Sequence, residues 1–180
     1  MRGVIITTDP TAEPVTLAEV KTHLVIDSND NTEDTYLNTL ITAARQQAEK
    51  FMNRAIMRQT VQETFDCFPD AAIKLSLSPV AEIDSFDYVD ENGDDQTLTL
   101  TTDYLVDTFS EPGRLTPAFG KNWPNTRPQT GAVKIVYRAG WSTAEKVPVP
   151  IKQAILMMIG KMYCHREDGK KESTDISATL

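Results

Sequence analysis

The segment VPVPIKQAILMMIGKMYCHRED, residues 147–168, constrains the fold more than any other part of the chain. Its apolar residues recur at spacings of three and four, which places them on one face of a helix. These residues are Ile151, Ala154, Ile155, Met158, Ile159 and Met162. Lys152 and Lys161 interrupt the segment, so it falls short of the roughly 18 apolar residues that a membrane-spanning helix needs. We predict a packed helix at 151–166 and no membrane span.

Three further apolar residues, Leu156, Met157 and Tyr163, widen the apolar surface of this helix beyond the stripe. One stripe is enough to fill a core, so two interpretations remain open. The extra residues either complete the core or contact another subunit. Cys164 and His165 point about 100° apart on a helix, so they cannot share a metal ion. They are expected to be a small buried thiol and a helix-end histidine.

Two more helices are predicted in the N-terminal part of the chain. The first, at about 16–24, starts with the Thr-x-x-Glu spacing of a capping box. The second, at 32–54, follows a polar break in which Asn31 or Ser28 could provide the cap. Its apolar residues fall in one arc, with Arg45 among the polar residues mostly opposite. The apolar residues are Leu37, Leu40, Ile41, Ala44, Ala48 and Phe51.

The middle of the chain, about 58–140, is rich in β-forming residues. Apolar and polar residues alternate at 72–78 and at 131–140, as is typical of half-buried strands. The acidic segment DENGDD, residues 90–95, lies between two strand-like runs, and its Asn-Gly pair is a strong hairpin signal. Residues 109–131 hold four prolines and three glycines and are expected to be a long loop. The chain is therefore predicted to be α+β, with N- and C-terminal helices in a bundle and an inserted antiparallel β-rich part.

The predicted loop mixes aromatic and basic residues. They are Phe109, Arg114, Phe119, Lys121, Trp123 and Arg127. Nucleic-acid-binding segments can show this mixture, but three basic residues in a chain of formal net charge −8 give a weak electrostatic footprint. Either the aromatic residues cover the sheet, or the loop is an arm that contacts another protein. Arg114, Phe119 and Trp123 are the contact candidates.

No motif of enzymatic or metal chemistry stands out. Cys67 and Cys164 lack CxxC spacing, so neither a zinc site nor a disulfide framework is expected, and a reducing compartment is the simpler assumption. A calcium-loop start occurs at 90–94, but Asp95 stands where that loop needs glycine. The two histidines accompany no nucleophile motif, and the acidic clusters lie in polar turns. The start, MRGVIITTDP, lacks the apolar core of a signal peptide. We expect no enzyme, no cofactor and no metal.

Several segments resemble the head-tail connector (adaptor) proteins of tailed bacteriophages. PVTLAEVKTHLVID and the following LITAARQQAE resemble the N-terminal half of that family. Three later segments resemble its C-terminal half, in the same order. They are YLVDTFSEPGRLTPAFGKNWP, GAVKIVYRAGW and VPVPIKQAILMMIGKMYCHRE. The likeness covers about residues 13–168.

The resemblance implies a virion structural protein at the head–tail junction, made in the host cytoplasm. It would form a ring, usually of twelve copies, under the portal protein, and would dock a tail-side neck protein. Residues 1–168 would be the connector domain, with helices 32–54 and 151–166 building the ring. Residues 169–180 would be a flexible C-terminal tail, and 167–180 would reach the portal. The contact candidates there are Lys170, Lys171, Ile176 and Leu180.

The ring would extend the DNA channel without sequence-specific binding. Carboxylates along its lumen would repel DNA phosphates, and either residues 90–95 or helix 32–54 could supply them. Two alternatives remain open. One is a head-closure or tail-completion protein further down the neck. The other is a small hydrolase that uses the carboxylates of residues 82–95.

Overall fold

The computed structural model describes residues 2–166. In this part of the chain the helices are α1 (Leu17–Leu24), α2 (Asp34–Met52) and α3 (Val149–Cys164). The strands are β1 (Arg2–Thr8), β2 (Gln59–Phe65), β3 (Ile73–Lys74), β4 (Val80–Val89), β5 (Asp95–Thr97), β6 (Tyr104–Asp107), β7 (Arg114–Pro117) and β8 (Val133–Ala139). The mixed α+β class predicted from the sequence is confirmed. Of the helices in residues 2–166, none is long and apolar enough to cross a membrane.

The predicted capping box determines where α1 begins. Thr16 Oγ1 accepts a hydrogen bond of 3.2 Å from the backbone N–H of Glu19, and Glu19 Oε2 accepts one of 2.6 Å from the N–H of Thr16. Val15 and Val20, which flank the cap, are both buried. The local signal and the tertiary packing therefore agree at this helix end.

Helix α2 begins without the predicted cap. Its N-cap residue, Glu33, makes no side-chain hydrogen bond to the first turn. The expectation that Asn31 or Ser28 caps α2 is wrong: Ser28 lies well before the N-cap residue, and the Asn31 side chain accepts a hydrogen bond from the buried Lys21. Lys21 Nζ lies 3.1 Å from Asn31 Oδ1 and 3.4 Å from the Ser28 carbonyl oxygen. A buried ammonium group needs several acceptors, so the break between the helices folds around it.

The three helices contact one another and share one apolar core. Most of the predicted α2 stripe is buried in it, as are Ile155 and Ile159 of α3. Two predicted core residues are not: the Phe51 side chain is 91% exposed, and Ala154 is also exposed. These predictions are wrong because an open groove separates α2 from α3 where the two residues lie. Arg45, which is predicted to lie mostly opposite the stripe, is also buried. Its guanidinium forms ion pairs with acidic neighbours, which make this burial possible.

Five strands form an antiparallel sheet in the order β1-β2-β8-β4-β5. The central strand β8 pairs with β2 through Val61 and Tyr137, and with β4 through Phe86 and Ile135. All four of these side chains are buried, so the alternation predicted at 131–140 is confirmed. The predicted acidic hairpin is the connection between β4 and β5.

A second sheet, in the order β3-β7-β6, contains a strand that the sequence does not predict. Strand β7 lies inside residues 109–131, which are expected to be a loop, and it buries Leu115. With four residues, β7 is too short for alternation to reveal it, and its pairing with β6 decides its conformation. The strand predicted at 72–78 is shorter than expected, with two residues in β3.

A buried carboxylate links the two sheets. Glu63 on β2 is fully buried, and its Oε1 accepts hydrogen bonds of 2.6 Å from Tyr137 Oη and from the N–H of Ser76. Its Oε2 accepts one of 3.0 Å from Arg2 Nε on the edge strand β1. Burial, followed by the charge of Glu63, raises the pKa of Tyr137, so that its hydroxyl remains a donor.

Candidate interaction surface

An apolar groove of about 860 Å³ lies between the C-terminal end of α2 and the N-terminal half of α3. Its apolar lining consists of Ala48, Phe51, Met52, Pro150, Ile151, Ala154 and Met158. Gln47 and Lys50 of α2 also line it. Contiguous apolar surface in contact with water is typical of a protein contact site. We call this site the α2/α3 groove.

The three apolar residues predicted beyond the α3 stripe have different surroundings. Leu156 is partly buried and packs against the helical core. Tyr163 is partly buried, and its Oη donates a hydrogen bond of 2.6 Å to Glu33 Oε2. Met157 remains 63% exposed. Core packing therefore accounts for Leu156 and Tyr163, and Met157 is the one of these three that is open to a partner.

Arg166, the last described residue, is held by a polar and aromatic cluster. Its guanidinium lies 2.7 Å from Glu33 Oε1, and its Cζ lies 4.4 Å and 4.7 Å from the ring centroids of Tyr163 and Tyr36. Hydrogen bonds donated by Tyr163 and Arg166 lower the pKa of Glu33. The cluster determines the point from which the chain continues. The predicted tail and four contact candidates lie outside the described residues: Lys170, Lys171, Ile176 and Leu180.

The three aromatic residues of the predicted loop also differ in how far they are buried. Phe109 and Phe119 are 97% and 103% exposed. Trp123 is partly buried, stacks on Phe68 with the ring centroids 5.2 Å apart, and donates a hydrogen bond of 3.2 Å to the Ala71 carbonyl oxygen. Trp123 thus covers the sheet, whereas Phe109 and Phe119 project into solvent.

Asp107 anchors the turn that carries Phe109. Its Oδ1 accepts hydrogen bonds of 3.0 Å from the N–H groups of Phe109 and Ser110. Its Oδ2 accepts one of 2.7 Å from Ser110 Oγ and one of 3.0 Å from Nε of Arg114, a contact candidate that is itself exposed. Hydrogen bonds from Ser110, and then from Arg114, lower the pKa of Asp107 to about 2.

We expect the Phe109 turn to loosen in acid. Because the pKa of Asp107 is lower in the folded protein than the ordinary value near 3.9, the carboxylate stabilises the turn above about pH 4, and this stabilisation is lost as the pH falls toward 2. Amide chemical shifts of Phe109 and Ser110 should titrate with a midpoint near pH 2. Asp107→Asn should remove that titration, and a wild-type midpoint near pH 4 would contradict the anchoring role.

The acidic hairpin tip contains one structural carboxylate and three others. Asp90 Oδ1 accepts hydrogen bonds from three backbone N–H groups of the turn, and these bonds lower the pKa of Asp90. Glu91, Asp94 and Asp95 are exposed, and no ion pair joins them to a basic side chain among residues 2–166. The tip is therefore a concentrated negative patch.

The described residues bring together no cluster for metal chemistry. Within residues 2–166, no group of three or more His, Cys, Asp and Glu side chains could hold a metal ion. Cys67 and Cys164 are free and exposed. The expectation that Cys164 is a buried thiol is wrong, because it lies on the solvent side of the last turn of α3.

Strand β1 is a surface feature for which the sequence analysis makes no prediction. Its seven residues are all exposed, and it forms one edge of the five-stranded sheet. Val4, Ile5 and Ile6 are 41%, 55% and 49% exposed. Five consecutive β-branched residues, at positions 4–8, are the sequence signal that indicates this strand. An edge strand of this kind offers unpaired backbone groups to another chain.

Comparison with known proteins identifies a family segment and a shared fold. Residues 14–83 match the model of the phage gp6-like head-tail connector proteins, which confirms the resemblance for this segment. No match occurs among curated proteins. A chain from the neck of an empty gene transfer agent (GTA) particle, calculated with C6 symmetry, has a TM-score of 0.79 and 21% identity, covering 96% of this chain and 89% of that chain.

Two more solved structures have the same architecture. A chain of the virion of the native GTA particle has a TM-score of 0.77 and 21% identity, over 95% of this chain and 89% of that chain. A chain from the native GTA neck, calculated with C12 symmetry, has a TM-score of 0.68 and 22% identity, over 97% and 88%. At these identities the likeness establishes the fold.

Proposed function

We propose that this chain is a structural protein of the virion neck. Two observations support the proposal: residues 14–83 match the connector family, and the chain shares the fold of a neck protein. In this role it is a head-tail connector (adaptor) that performs no catalysis. Twelve copies form a ring under the portal, extend the DNA channel and present a surface to the next tail component. The observation that carries the proposal is the fold likeness over 96% of the chain to a protein of a GTA neck.

The helices α1, α2 and α3 form the bundle that builds the ring. The α2/α3 groove and the exposed Met157 support this role, because they leave apolar surface uncovered in the single chain. The C6 and C12 symmetries of the matching GTA necks are the symmetries expected of such a ring. The segment 167–180 docks on the portal, and the cluster around Arg166 orients its start.

The hairpin tip, and not α2, lines the DNA channel. The carboxylates of α2 and its N-cap are paired with bases: Glu33 with Arg166, Asp34 with Lys21, and Glu49 with Arg45. The three exposed hairpin carboxylates form no ion pair among residues 2–166. One basic group, the Arg127 guanidinium, packs against Gly93 of the tip, so the tip keeps an excess of negative charge. A lumen lined by these carboxylates repels DNA phosphates and allows the duplex to slide.

The adaptor role is tested by adding purified portal to the protein and imaging the complex by electron microscopy. We expect rings of twelve copies on the portal with no other neck protein present. If the chain binds only after another neck protein has been added, it is a head-closure or tail-completion protein. If it binds neither portal nor a portal–adaptor complex, the proposed function is overturned. Absence of a ring in the free protein is not decisive, because assembly can require the portal.

Reversing the hairpin charges is expected to impair DNA passage without preventing assembly. Glu91, Asp94 and Asp95 are exposed, so their replacement by lysine leaves the core unchanged. The three lysines across twelve copies should create duplex binding that weakens steeply with salt. Particle yield and DNA delivery are measured, and delivery should fall several-fold or more.

The matched control for this experiment combines Glu91→Gln, Asp94→Asn and Asp95→Asn, which removes the negative charge without adding positive charge. This neutral variant should assemble and bind no DNA. If the lysine variant delivers DNA as the wild type does, the hairpin lies outside the lumen. If the neutral variant assembles normally but loses a hydrolytic activity of the wild type, the hydrolase alternative gains support.

A further inference from the structure

The chain displays an apolar knob as well as an apolar groove. Phe119, with its side chain fully exposed, occupies the tip of a turn between β7 and Trp123. The next residue, Gly120, has a φ of +73°, a left-handed conformation that favours glycine and closes the turn. No other part of the described chain packs over Gly120, since nothing lies within 4 Å of an added Cβ.

Hydrogen bonds hold the backbone on both sides of Phe119. The N–H of Ala118 donates a hydrogen bond of 3.0 Å to the Asp103 carbonyl oxygen, and the N–H of Lys121 donates one of 2.9 Å to the Ala118 carbonyl oxygen. Lys121 Nζ lies 3.5 Å from Asp103 Oδ1, so the nearest charges pair with each other. Beyond the turn, Trp123 is fixed by its stack on Phe68. The backbone that carries Phe119 is therefore preorganised, which lowers the conformational entropy lost on binding.

We infer that Phe119 of one copy inserts into the α2/α3 groove of the neighbouring copy. The inference rests on the proposed function, because it concerns the contact between copies in a ring. A ring of more than two copies needs two different, complementary patches on each chain. The knob supplies an aromatic anchor, and the groove supplies an apolar seat of about 860 Å³.

The position of Phe119 distinguishes it from Phe109 as the knob. Phe109 lies near the Asp107–Arg114 end of the β6–β7 pair, where Glu111 forms an ion pair with Arg54 just beyond α2. That turn is therefore on the same side of the molecule as the groove. Phe119 lies beyond the opposite end, where Tyr104 pairs with Pro117. A head-to-tail contact requires this separation of knob and groove.

Disulfide cross-linking of assembled rings tests the contact. Native Cys67 and Cys164 are replaced by serine, and Lys121→Cys, an exposed position beside the knob that keeps Phe119 itself, is combined with Ala154→Cys in one chain. Oxidation should give a ladder of covalent multimers, because each copy is linked to the next. A mixture of chains that carry one new cysteine each should give dimers and nothing larger. The control pair, Phe109→Cys with Ala154→Cys, should remain monomeric, because disulfides require Cα atoms within about 7 Å.

Single substitutions provide a second readout. Phe119→Ser and Ala154→Arg, both at exposed positions, should each lower the yield of rings on the portal at least tenfold and leave the monomer folded. Phe109→Ser is the matched control and should leave ring yield unchanged. If wild-type rings form but the double-cysteine variant does not cross-link and Phe119→Ser assembles normally, the inference is overturned and the adaptor role stands. If wild-type protein forms no ring on portal, the proposed function itself fails.

Discussion

Replacing Glu63 by alanine should lower the free energy of unfolding by about 2–6 kcal/mol, because two buried donors each lose their acceptor at a cost of about 1–3 kcal/mol. The Glu63 carboxylate is fully buried and accepts hydrogen bonds from Tyr137, Arg2 and the backbone of Ser76. Without it, a buried hydroxyl and a backbone N–H lose their acceptor, and the Arg2 charge loses its partner. Chemical denaturation near pH 7 measures the change.

The matched control is Glu82→Ala. Glu82 also pairs with an arginine, Arg138, at 2.7 Å, but both side chains are about 40% exposed. An exposed pair of this kind contributes roughly 0–1 kcal/mol, so this variant should stay close to the wild type. Tyr137→Phe should fall between the two, because it removes one buried hydrogen bond. Equal effects of Glu63→Ala and Glu82→Ala would show that the Glu63 network does not stabilise the junction of the sheets.

Lys21→Ala should destabilise the helical part by about 3 kcal/mol. Lys21 is 5% exposed, and its Nζ lies 2.6 Å from Asp34 Oδ1, 2.8 Å from the Asp30 carbonyl oxygen and 3.1 Å from Asn31 Oδ1. Removing the ammonium leaves the Asp34 carboxylate without its counter-charge, and it leaves the acceptors on Asp30 and Asn31 without their donor. Thermal or chemical unfolding followed by circular dichroism at 222 nm measures the loss.

The control for this second variant is Lys152→Ala. Lys152 pairs with Glu19 at 2.8 Å, but Glu19 is 41% exposed, so the loss should be below about 1 kcal/mol. Lys21→Met keeps most of the apolar stem and still removes the charge, so it should destabilise the protein nearly as much as alanine. If Lys21→Met is as stable as the wild type, packing of the Lys21 stem, and not its ion pair, stabilises the polar segment between α1 and α2.

Local sequence patterns predicted the elements that short-range physics controls. The capping box at Thr16, the apolar period of α2 and the Asn-Gly hairpin each arise from neighbouring residues, and each is present in the structure. Strand β7 was missed, because a four-residue strand is defined by the strand it pairs with. The prediction of the α2 cap is wrong for a related reason: Lys21, ten residues earlier, donates a hydrogen bond to the Asn31 side chain.

The candidate surface was predicted only in part. Phe119 was expected to contact a partner and is fully exposed, whereas Trp123, which has the same sequence context, packs on Phe68. Phe51 and Ala154 fit the core stripes of their helices but line a groove between them. Periodicity places a residue on a face of its helix, yet it does not state how far the neighbouring helix extends along that face.

The sequence by itself determined the α+β class, the order of the three helices around the β-rich part, the faces of the helices and the resemblance to connector proteins, because these depend on spacing along the chain. Only the tertiary structure decided which apolar residues stay uncovered, which charges are buried and paired, and where the knob lies relative to the groove. Burial depends on the distance between segments that are remote in the chain. Glu63 and Tyr137, 74 residues apart and joined by a hydrogen bond of 2.6 Å, illustrate that dependence.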